Sequence, residues 1–234
     1  MNATAPVTVV IPAYNEAPTV GRVVQSVPRR MAGLDVTVLV VDDGSADGTA
    51  EAAEAAGASV IRHQTNRGQG AALLTGYRAA VGAGSRYLAT VDADGQWDPA
   101  DLPALIEVLA AGEADLVSGS RRLGSDQVRE PLRQLGVVVF AALLRRLTGA
   151  RVSDPANGLR AMRAEVVEGV RLEEPQFQAA ELLTAALSRG FRYAEVPVRH
   201  FARSAGESKK GRNLTYGLRY GRVLARTWWR ERRR

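Results

Sequence analysis

The chain has 234 residues, a net charge of +6 at pH 7 and no cysteine, and 46% of its residues are hydrophobic. This length and composition predict a globular protein of one large or two small domains and exclude an intrinsically disordered chain. The missing cysteine excludes a disulfide scaffold, a thiolate metal site and a cysteine nucleophile, and it suits a reducing cytosol.

The positive charge is concentrated near the C-terminus. Residues 199–234 contain 12 Lys/Arg and 2 Asp/Glu, a balance of +10, whereas the preceding residues contain 19 and 23, a balance of −4. A basic end favours an anionic partner, such as phospholipid, phosphate or nucleic acid, although a solvated helix end is the simpler alternative. We expect neither a signal peptide nor a spanning helix, because no run approaches about 18 apolar residues.

The first half of the chain alternates strand and helix patterns. Strands are predicted, in chain order, at VTVVIP, DVTVLVV, ASVIRH, RYLATV and ADLVSGS; helices between them are predicted at residues 19–27 and at DGTAEAAEAAG, GAALLTGYRAAVGAG and PADLPALIEVLAAG. Strands alternating with helices predict an α/β fold, a Rossmann-like, mostly parallel sheet flanked by helices. Ligands of such sheets bind at the carboxyl ends of the strands. The polar residues that fall there are Asn15, Asp42, Asp43, Asp92, Asp94, Ser120 and Arg121.

The second half has a different character. The run from Leu135 to Leu144 is apolar on nearly every side of a helix, which indicates either a core helix or one lying in a membrane interface. RYAEVPVRH predicts a further strand, and NLTYGLRYGRVLARTWWRERRR an amphipathic helix. In a helical projection the apolar side is predicted to hold Leu214, Leu218, Leu224, Ala225, Trp228 and Trp229, beside a stripe formed by Arg219, Arg222, Arg226 and Arg230.

Asp92 and Asp94 stand together at the end of the fourth strand. Unpaired carboxylates this close would raise one another's pKa, whereas a divalent cation removes the repulsion. Carboxylate oxygens suit Mg²⁺ or Mn²⁺, and Gln96 offers another oxygen. The alternative is a plain turn, in which Asp98 caps the helix that begins at Pro99.

Three other patterns are weaker. The residues from Asp43 to Glu54 match the ligand spacing of a calcium-binding EF-hand loop, but a strand rather than a helix precedes them, so we exclude that site. NRGQGAALLTG lacks both the third glycine of a dinucleotide fingerprint and the Lys of a P-loop. His63 and His200 are predicted to be surface or packing residues.

Seven motifs occur in order along nearly the whole chain: VVIPAYNE, VVDDGSADGT, NRGQGAA, DADGQWDP, SGSR, DPANGLRA and EVPVRHFARSAGESK. Together they closely resemble the family-two glycosyltransferases with a GT-A fold. The branch they resemble most comprises the dolichol-phosphate and polyprenyl-phosphate mannose and glucose synthases.

The resemblance assigns roles to individual residues. It implies a nucleotide-sugar site formed by Pro12, Ala13, Tyr14, Glu16, Asp42, Asp43 and Asp92. It implies metal ligands at Asp92, Asp94 and Gln96, and an acceptor-phosphate site at Arg121, Arg160, Glu181, Ser208 and Lys209. The residues it implies for catalysis are Asp94, Arg121, Asp154 and Arg203. Asn157 and Leu159 stand where the family often has Ser and Phe, which leaves the acceptor open.

The resemblance implies an inverting, metal-dependent transfer from GDP-mannose or UDP-glucose to a polyprenyl or dolichyl phosphate at the cytosolic face of a membrane. It implies a catalytic domain over residues 1–211, with a nucleotide-sugar half (1–98) and an acceptor half (99–211). The basic amphipathic tail (212–234) is predicted from its own pattern to lie on an anionic membrane surface, and the alternative is that its tryptophans pack on the core of the protein. One alternative is transfer to a hydroxyl of a soluble acceptor, with Asp154 as base. A non-catalytic protein that binds nucleotide sugars or nucleic acid is another, but no stacked aromatic RNA-binding motif is present, and we expect no nucleic-acid partner.

Overall fold

The computed structural model describes residues 6–127, 131–202 and 214–233, without the side chains of residues 131–135 and 214–216. The strands are β1 (Val7–Ala13), β2 (Arg30–Met31), β3 (Leu34–Asp42), β4 (Ser59–Arg62), β5 (Tyr87–Thr90), β6 (Leu116–Asp126), β7 (Arg160–Arg163) and β8 (Tyr193–His200). The helices are α1 (Ala17–Ser26), α2 (Thr49–Ala55), α3 (Gln69–Gly82), α4 (Leu102–Ala110), α5 (Pro131–Thr148), α6 (Ala164–Gly169), α7 (Gln178–Ser188) and α8 (Leu214–Arg232).

All eight strands join one sheet. Its order is β2-β3-β1-β5-β7-β6-β8, and β4 also pairs with β3. The strands β1, β3, β4 and β5 are parallel, as are β6 and β8, while β7 runs antiparallel between β5 and β6. The parallel strands therefore end at one edge, where their following loops meet.

The sheet has a hydrophobic core on each face. Alternate residues of β1 point to opposite faces, so Val9 joins the core formed with α1, α2 and α4, while Val10 joins the core formed with α3 and α5 to α8. All of β1 is buried because it lies inside a sheet covered on both faces.

The predicted α/β fold is confirmed, and each predicted strand is present. Two features differ from the sequence prediction. The strand β6 does not end at Ser120 but continues to Asp126, with a shift in its pairing to β8 between Ser120 and Ser125, so Arg121 lies within the strand. The strand β7 had no sequence signal and exists because it pairs with two neighbours.

The last helix, α8, packs against the protein on one side and is exposed on the other. Val223 and Leu224 are buried, and Trp228 donates a hydrogen bond from Nε1 to the Leu147 carbonyl over 2.6 Å. Leu218 and Trp229 are 68% and 52% exposed. The predicted single apolar side is therefore wrong: Leu224 and Trp228 belong to the packed side.

The helix α5 is also divided between core and surface. Leu144 is fully buried, whereas Val138 and Val139 are exposed. Phe140 stacks on Tyr220 of α8 with ring centroids 4.4 Å apart, so the two helices pack together. Among the described helices, none is long and apolar enough to cross a bilayer.

Candidate active site

The turn after β1 is fastened to the loop after β3. Asn15 has a positive φ of 52°, its backbone N–H donates to Ser45 Oγ over 2.9 Å, and its Oδ1 accepts from the Ala46 N–H over 3.0 Å. The Glu16 N–H donates to Thr49 Oγ1 over 2.9 Å. Of the predicted nucleotide-site residues here, Pro12, Ala13 and Glu16 are buried and Tyr14 is half-buried. These hydrogen bonds join the two loops into one rim at the carboxyl edge.

Asp42, at the end of β3, turns its carboxylate into the protein. Its Oδ1 accepts from the Ser45 N–H over 2.9 Å, and its Oδ2 lies 3.2 Å from Arg62 Nε. The side chain is fully buried. Asp42 therefore shapes the rim through Ser45 and Arg62.

Asp43 organises the glycine loop before α3. Its carboxylate accepts from the N–H groups of Arg67 and Gly68 over 3.0 and 2.7 Å, and it lies 2.6 Å from Nδ1 of His63. Nε2 of His63 lies 3.0 Å from Thr75 Oγ1. His63 is buried, as a packing residue would be, and links the loop to α3.

Asp92 and Asp94 lie after β5, as predicted, and face different neighbours. Asp92 Oδ1 accepts from Gln69 Nε2 over 2.7 Å, and Asp94 Oδ1 accepts from the Gln96 N–H over 3.0 Å. The backbone of Gly158 lies against Asp92, because a Cβ at that position would meet Asp92 Oδ2 at 2.5 Å. Only glycine allows this approach, and it fixes the carboxylate at the sheet edge.

The turn that follows is tied to the end of β8. The Phe201 N–H donates to the Gln96 carbonyl over 2.8 Å, and Gln96 Nε2 donates to the Phe201 carbonyl over 3.4 Å. Asp98 caps the short 3₁₀ turn Pro99–Asp101 by accepting a hydrogen bond from the Ala100 N–H. The capping role predicted for Asp98 is therefore confirmed.

A set of hard oxygen ligands fits Mg²⁺ or Mn²⁺ at Asp92 and Asp94. Within the described ranges, no group of three or more acidic or histidine side chains could hold a metal ion. Mg²⁺ sites in proteins commonly use one or two carboxylates together with substrate phosphates.

Arg121 and Asp154 form a buried, two-pronged ion pair. Arg121 Nε and Nη2 each donate to an Asp154 oxygen over 2.7 Å, and the Arg121 backbone N–H donates over 3.2 Å. Burial acts to raise the pKa of Asp154, but the hydrogen bonds and charge of Arg121 outweigh it and lower the pKa. Asp154 is thereby held ionised and engaged, which makes it a poor general base.

An aromatic pair covers this ion pair on one side. The Arg121 guanidinium carbon lies 5.4 Å from the centroid of the Trp97 ring, which packs against His200 with centroids 4.4 Å apart. Nδ1 of His200 lies 2.7 Å from Asp126. Trp97 and Gln69 were not predicted as site residues. The signal for Trp97 was its place in DADGQWDP; for Gln69 it was the glycine loop.

Two predicted acceptor residues are buried. Arg160 lies in β7 opposite Thr90, and its Nη2 donates to the Pro155 carbonyl over 3.4 Å. Glu181 is fully buried; its Oε2 accepts from the N–H groups of Glu173 and Glu174, and its Oε1 accepts from Arg230 of α8. These contacts give Glu181 a structural role and no support for its predicted acceptor-phosphate role.

The remaining predicted residues, Arg203, Ser208 and Lys209, lie outside the described residues. A cleft of about 710 Å³ lies between α3 and residues 167–173, and its described lining includes none of the predicted site residues. The described candidate residues Asp42, Asp43, Asp92 and Asp94 lie instead at or just after the carboxyl ends of β3 and β5.

Solved structures with the same architecture identify the fold class. Glucosyl-3-phosphoglycerate synthase from Mycobacterium tuberculosis, in complex with phosphoglyceric acid, matches with a TM-score of 0.72 at 24% identity, over 97% of this chain and 80% of that one. The same enzyme in complex with Mn²⁺, UDP and glucosyl-3-phosphoglycerate matches with a TM-score of 0.70. The protein thus has the GT-A glycosyltransferase fold.

Sequence comparison identifies the family. The family model described as "Glycosyl transferase family 2" matches residues 8–171. The undecaprenyl-phosphate mannosyltransferase of Micrococcus luteus is 34% identical over 215 residues, covering 86% of this chain and 85% of that protein. The polyprenol monophosphomannose synthase of Mycolicibacterium smegmatis is 35% identical over 223 residues, covering 88% and 82%. The chain belongs to glycosyltransferase family 2 and is a glycosyltransferase.

Proposed function

We propose that this protein transfers a sugar, with inversion, from GDP-mannose or UDP-glucose to a polyprenyl or dolichyl phosphate. The names of the two relatives above support a lipid-linked acceptor. The observation that carries the proposal is the Arg121–Asp154 ion pair. A hydroxyl acceptor needs a carboxylate base, and this carboxylate is committed to Arg121 with a lowered pKa.

A phosphate monoester needs no such base. Its second pKa is near 6, so at pH 7 it is mostly a dianion and already a nucleophile. The phosphate must instead be held in position, and its negative charge must be balanced by cationic side chains. We propose that the Nη1 edge of Arg121 supplies part of this at the sheet edge, together with Arg203, Ser208 and Lys209. Since Asp154 holds the guanidinium plane in place, the remaining donors of Arg121 are fixed in direction.

The donor half of the site lies on the other side of Asp92. We propose that Asp92 and Asp94 hold Mg²⁺ or Mn²⁺ against the donor diphosphate, with Gln96 as a further oxygen ligand. The ion would supply charge neutralisation for the departing nucleoside diphosphate. Gln69 and Gly158 keep the Asp92 carboxylate in position, and Asp43 shapes the glycine loop beside it. We propose residues 1–98 as the nucleotide-sugar half and residues 99–211 as the acceptor half, with Gly158 of the second half packed against Asp92 of the first.

The exposed face of α8 and the neighbouring face of α5 are suited to a membrane surface. Leu218 and Trp229 are exposed on one side of α8, among exposed Arg222 and Arg226. Exposed apolar and basic residues on one helical face are typical of a helix lying in a membrane interface. We propose that residues 212–234 attach the enzyme to an anionic cytosolic membrane face, where its acceptor resides.

The test is a donor and acceptor panel. The full chain is incubated with Mn²⁺, a polyprenyl phosphate and radiolabelled GDP-mannose or UDP-glucose, and label is measured in the organic phase. We expect one donor to label the lipid, and chelator or Asp94→Asn to abolish the labelling. Asp35→Asn, on an exposed carboxylate of β3, is the matched control and should leave transfer unchanged. Labelling at full rate in chelator would contradict the metal role.

A further inference from the structure

A small polar cavity lies between the end of β5 and the start of α7. Its volume is about 50 Å³. Half-buried Gln69 and Asp92 lie at its outer side, and buried Arg160 and Gln178 at its inner side. This space suits a few water molecules or the hydroxyl groups along one edge of a sugar, and is too small for a whole hexose.

The inner side of the cavity carries polar atoms that need partners. Arg160 and Gln178 are 3% and 2% exposed. Within the described part of the chain, Arg160 Nε, Gln178 Nε2 and Gln178 Oε1 have no hydrogen-bond partner within 3.5 Å, although the Gln178 side chain lies close enough to the Tyr77 hydroxyl to act against the rise in its pKa. Since buried polar groups in native proteins are nearly always paired, these atoms call for a bound polar group.

The backbone fixes where these atoms lie. Arg160 is opposite Thr90 on one side and Ser118 on the other, in the middle of the sheet. Thr90 also lines the cavity, and Asp92 follows it by two residues. The neighbouring Tyr77 is fully buried. This burial raises the pKa of its hydroxyl to about 12, against the opposing effects of the Arg160 charge and of the Gln178 and Thr90 side chains.

We propose that this cavity is the subsite for hydroxyl groups of the transferred sugar, and that Gln178 and Arg160 determine which sugar is accepted. The inference rests on the proposed function. In a nucleotide sugar the group bonded directly to the diphosphate is the sugar, and the cavity begins at Asp92, where the diphosphate is proposed to bind. The unpaired atoms comprise N–H donors and one acceptor oxygen, and a hydroxyl both donates and accepts.

The first measurement uses the unaltered protein. Calorimetry with Mn²⁺ compares the parent donor that binds, UDP-glucose or GDP-mannose, with analogues lacking one hydroxyl at position 2, 3, 4 or 6. We expect loss of one particular hydroxyl to weaken binding about tenfold, since its partners are then left unpaired. Equal affinities across the series would overturn the subsite and leave the cavity to ordered water.

The second measurement uses Gln178→Leu, with Gln25→Leu on the exposed face of α1 as control. Replacing an unpaired buried amide with an apolar side chain of similar shape should not lower the melting temperature. We expect Gln178→Leu to bind UDP or GDP with normal affinity and the nucleotide sugar about tenfold more weakly. In this variant, removing the critical hydroxyl from the donor should no longer weaken binding. If loss of that hydroxyl weakened binding to Gln178→Leu as much as to the wild type, the subsite would be overturned but the proposed function would not. A wild-type protein that binds no nucleotide sugar would overturn the proposed function as well.

Discussion

Arg230, near the end of α8, is joined to Glu181 of α7 by a hydrogen bond of 2.9 Å from Nη1 to Oε1. The same guanidinium contacts Glu173, Glu231 and the Arg171 carbonyl. Glu181 in turn holds the N–H groups of Glu173 and Glu174, whose segment packs on the glycine loop through a hydrogen bond from the Gly70 N–H to the Pro175 carbonyl. The C-terminal helix therefore supports the donor side of the site.

Arg230→Ala should lower the free energy of unfolding by about 3 kcal/mol, because it leaves the fully buried Glu181 carboxylate without its cation. Arg226→Ala is the matched control. Arg226 is 62% exposed and lies 3.9 Å from Glu174, so the change should stay within about 0.5 kcal/mol. Urea unfolding measures both, and equal effects would contradict the supporting role of α8.

The two tryptophans of α8 should separate membrane binding from stability. Trp229→Ala removes an exposed apolar side chain and should reduce sedimentation with anionic liposomes at unchanged melting temperature. Trp228→Phe loses the hydrogen bond to the Leu147 carbonyl and should cost about 1 kcal/mol of stability with normal liposome binding. Normal liposome binding by Trp229→Ala would show that this face is not the membrane contact. Truncation after residue 211 is a poorer test, because it also removes buried Leu224.

The Arg121–Asp154 pair predicts a pH dependence of stability. The pKa of Asp154 is lower in the folded protein than its usual value of about 3.9, so its contribution is fully present above pH 4 and is lost as the pH falls through the folded-state pKa. The difference in unfolding free energy between wild type and Asp154→Asn should therefore be largest at pH 7 and shrink at more acidic pH. A difference that is constant between pH 7 and pH 3 would refute the ionised pair. Asp35→Asn should change little at any pH.

Gly158→Ala should disrupt the carboxylate edge. The added Cβ would lie 2.5 Å from Asp92 Oδ2 and 2.7 Å from Trp97 Nε1, so the Asp92 side chain must shift. We expect transfer to fall by about 100-fold. Gly82→Ala, at the end of α3, meets no atom within 4 Å and should keep full activity. Full transfer by Gly158→Ala would contradict the placing of Asp92.

The sequence predicted those parts of the fold that depend on local pattern. Runs rich in valine and isoleucine identified β1, β3 and β4, the apolar run RYLATV identified β5, and the polar residues after these strands identified the carboxyl edge. The strand β7 was not predicted, because its sequence RAMR does not alternate between polar and apolar residues. Its strand conformation comes from pairing with β5 and β6. Pairing of this kind depends on tertiary structure.

The partners of the site residues could not be predicted, since they are distant in sequence. Arg121 meets Asp154 from 33 residues away, and Gln69 meets Asp92 from 23 residues away. The division of α8 could have been read from geometry. At 100° per residue Leu218 and Trp229 are about 20° apart, whereas Leu224 lies about 140° from Trp229. Restricting the predicted apolar side to residues within a smaller angle would have separated Leu224 from Leu218 and Trp229.

The configuration and linkage of the product test the central claim most directly. After incubation of the full chain with Mn²⁺, polyprenyl phosphate and the active α-linked donor, the lipid product is isolated and analysed by proton and phosphorus NMR. We predict a sugar joined through its anomeric carbon to the lipid phosphate as a phosphodiester, in the β configuration. An α-linked product, or a sugar attached to a hydroxyl with the lipid phosphate left as a monoester, would contradict the account.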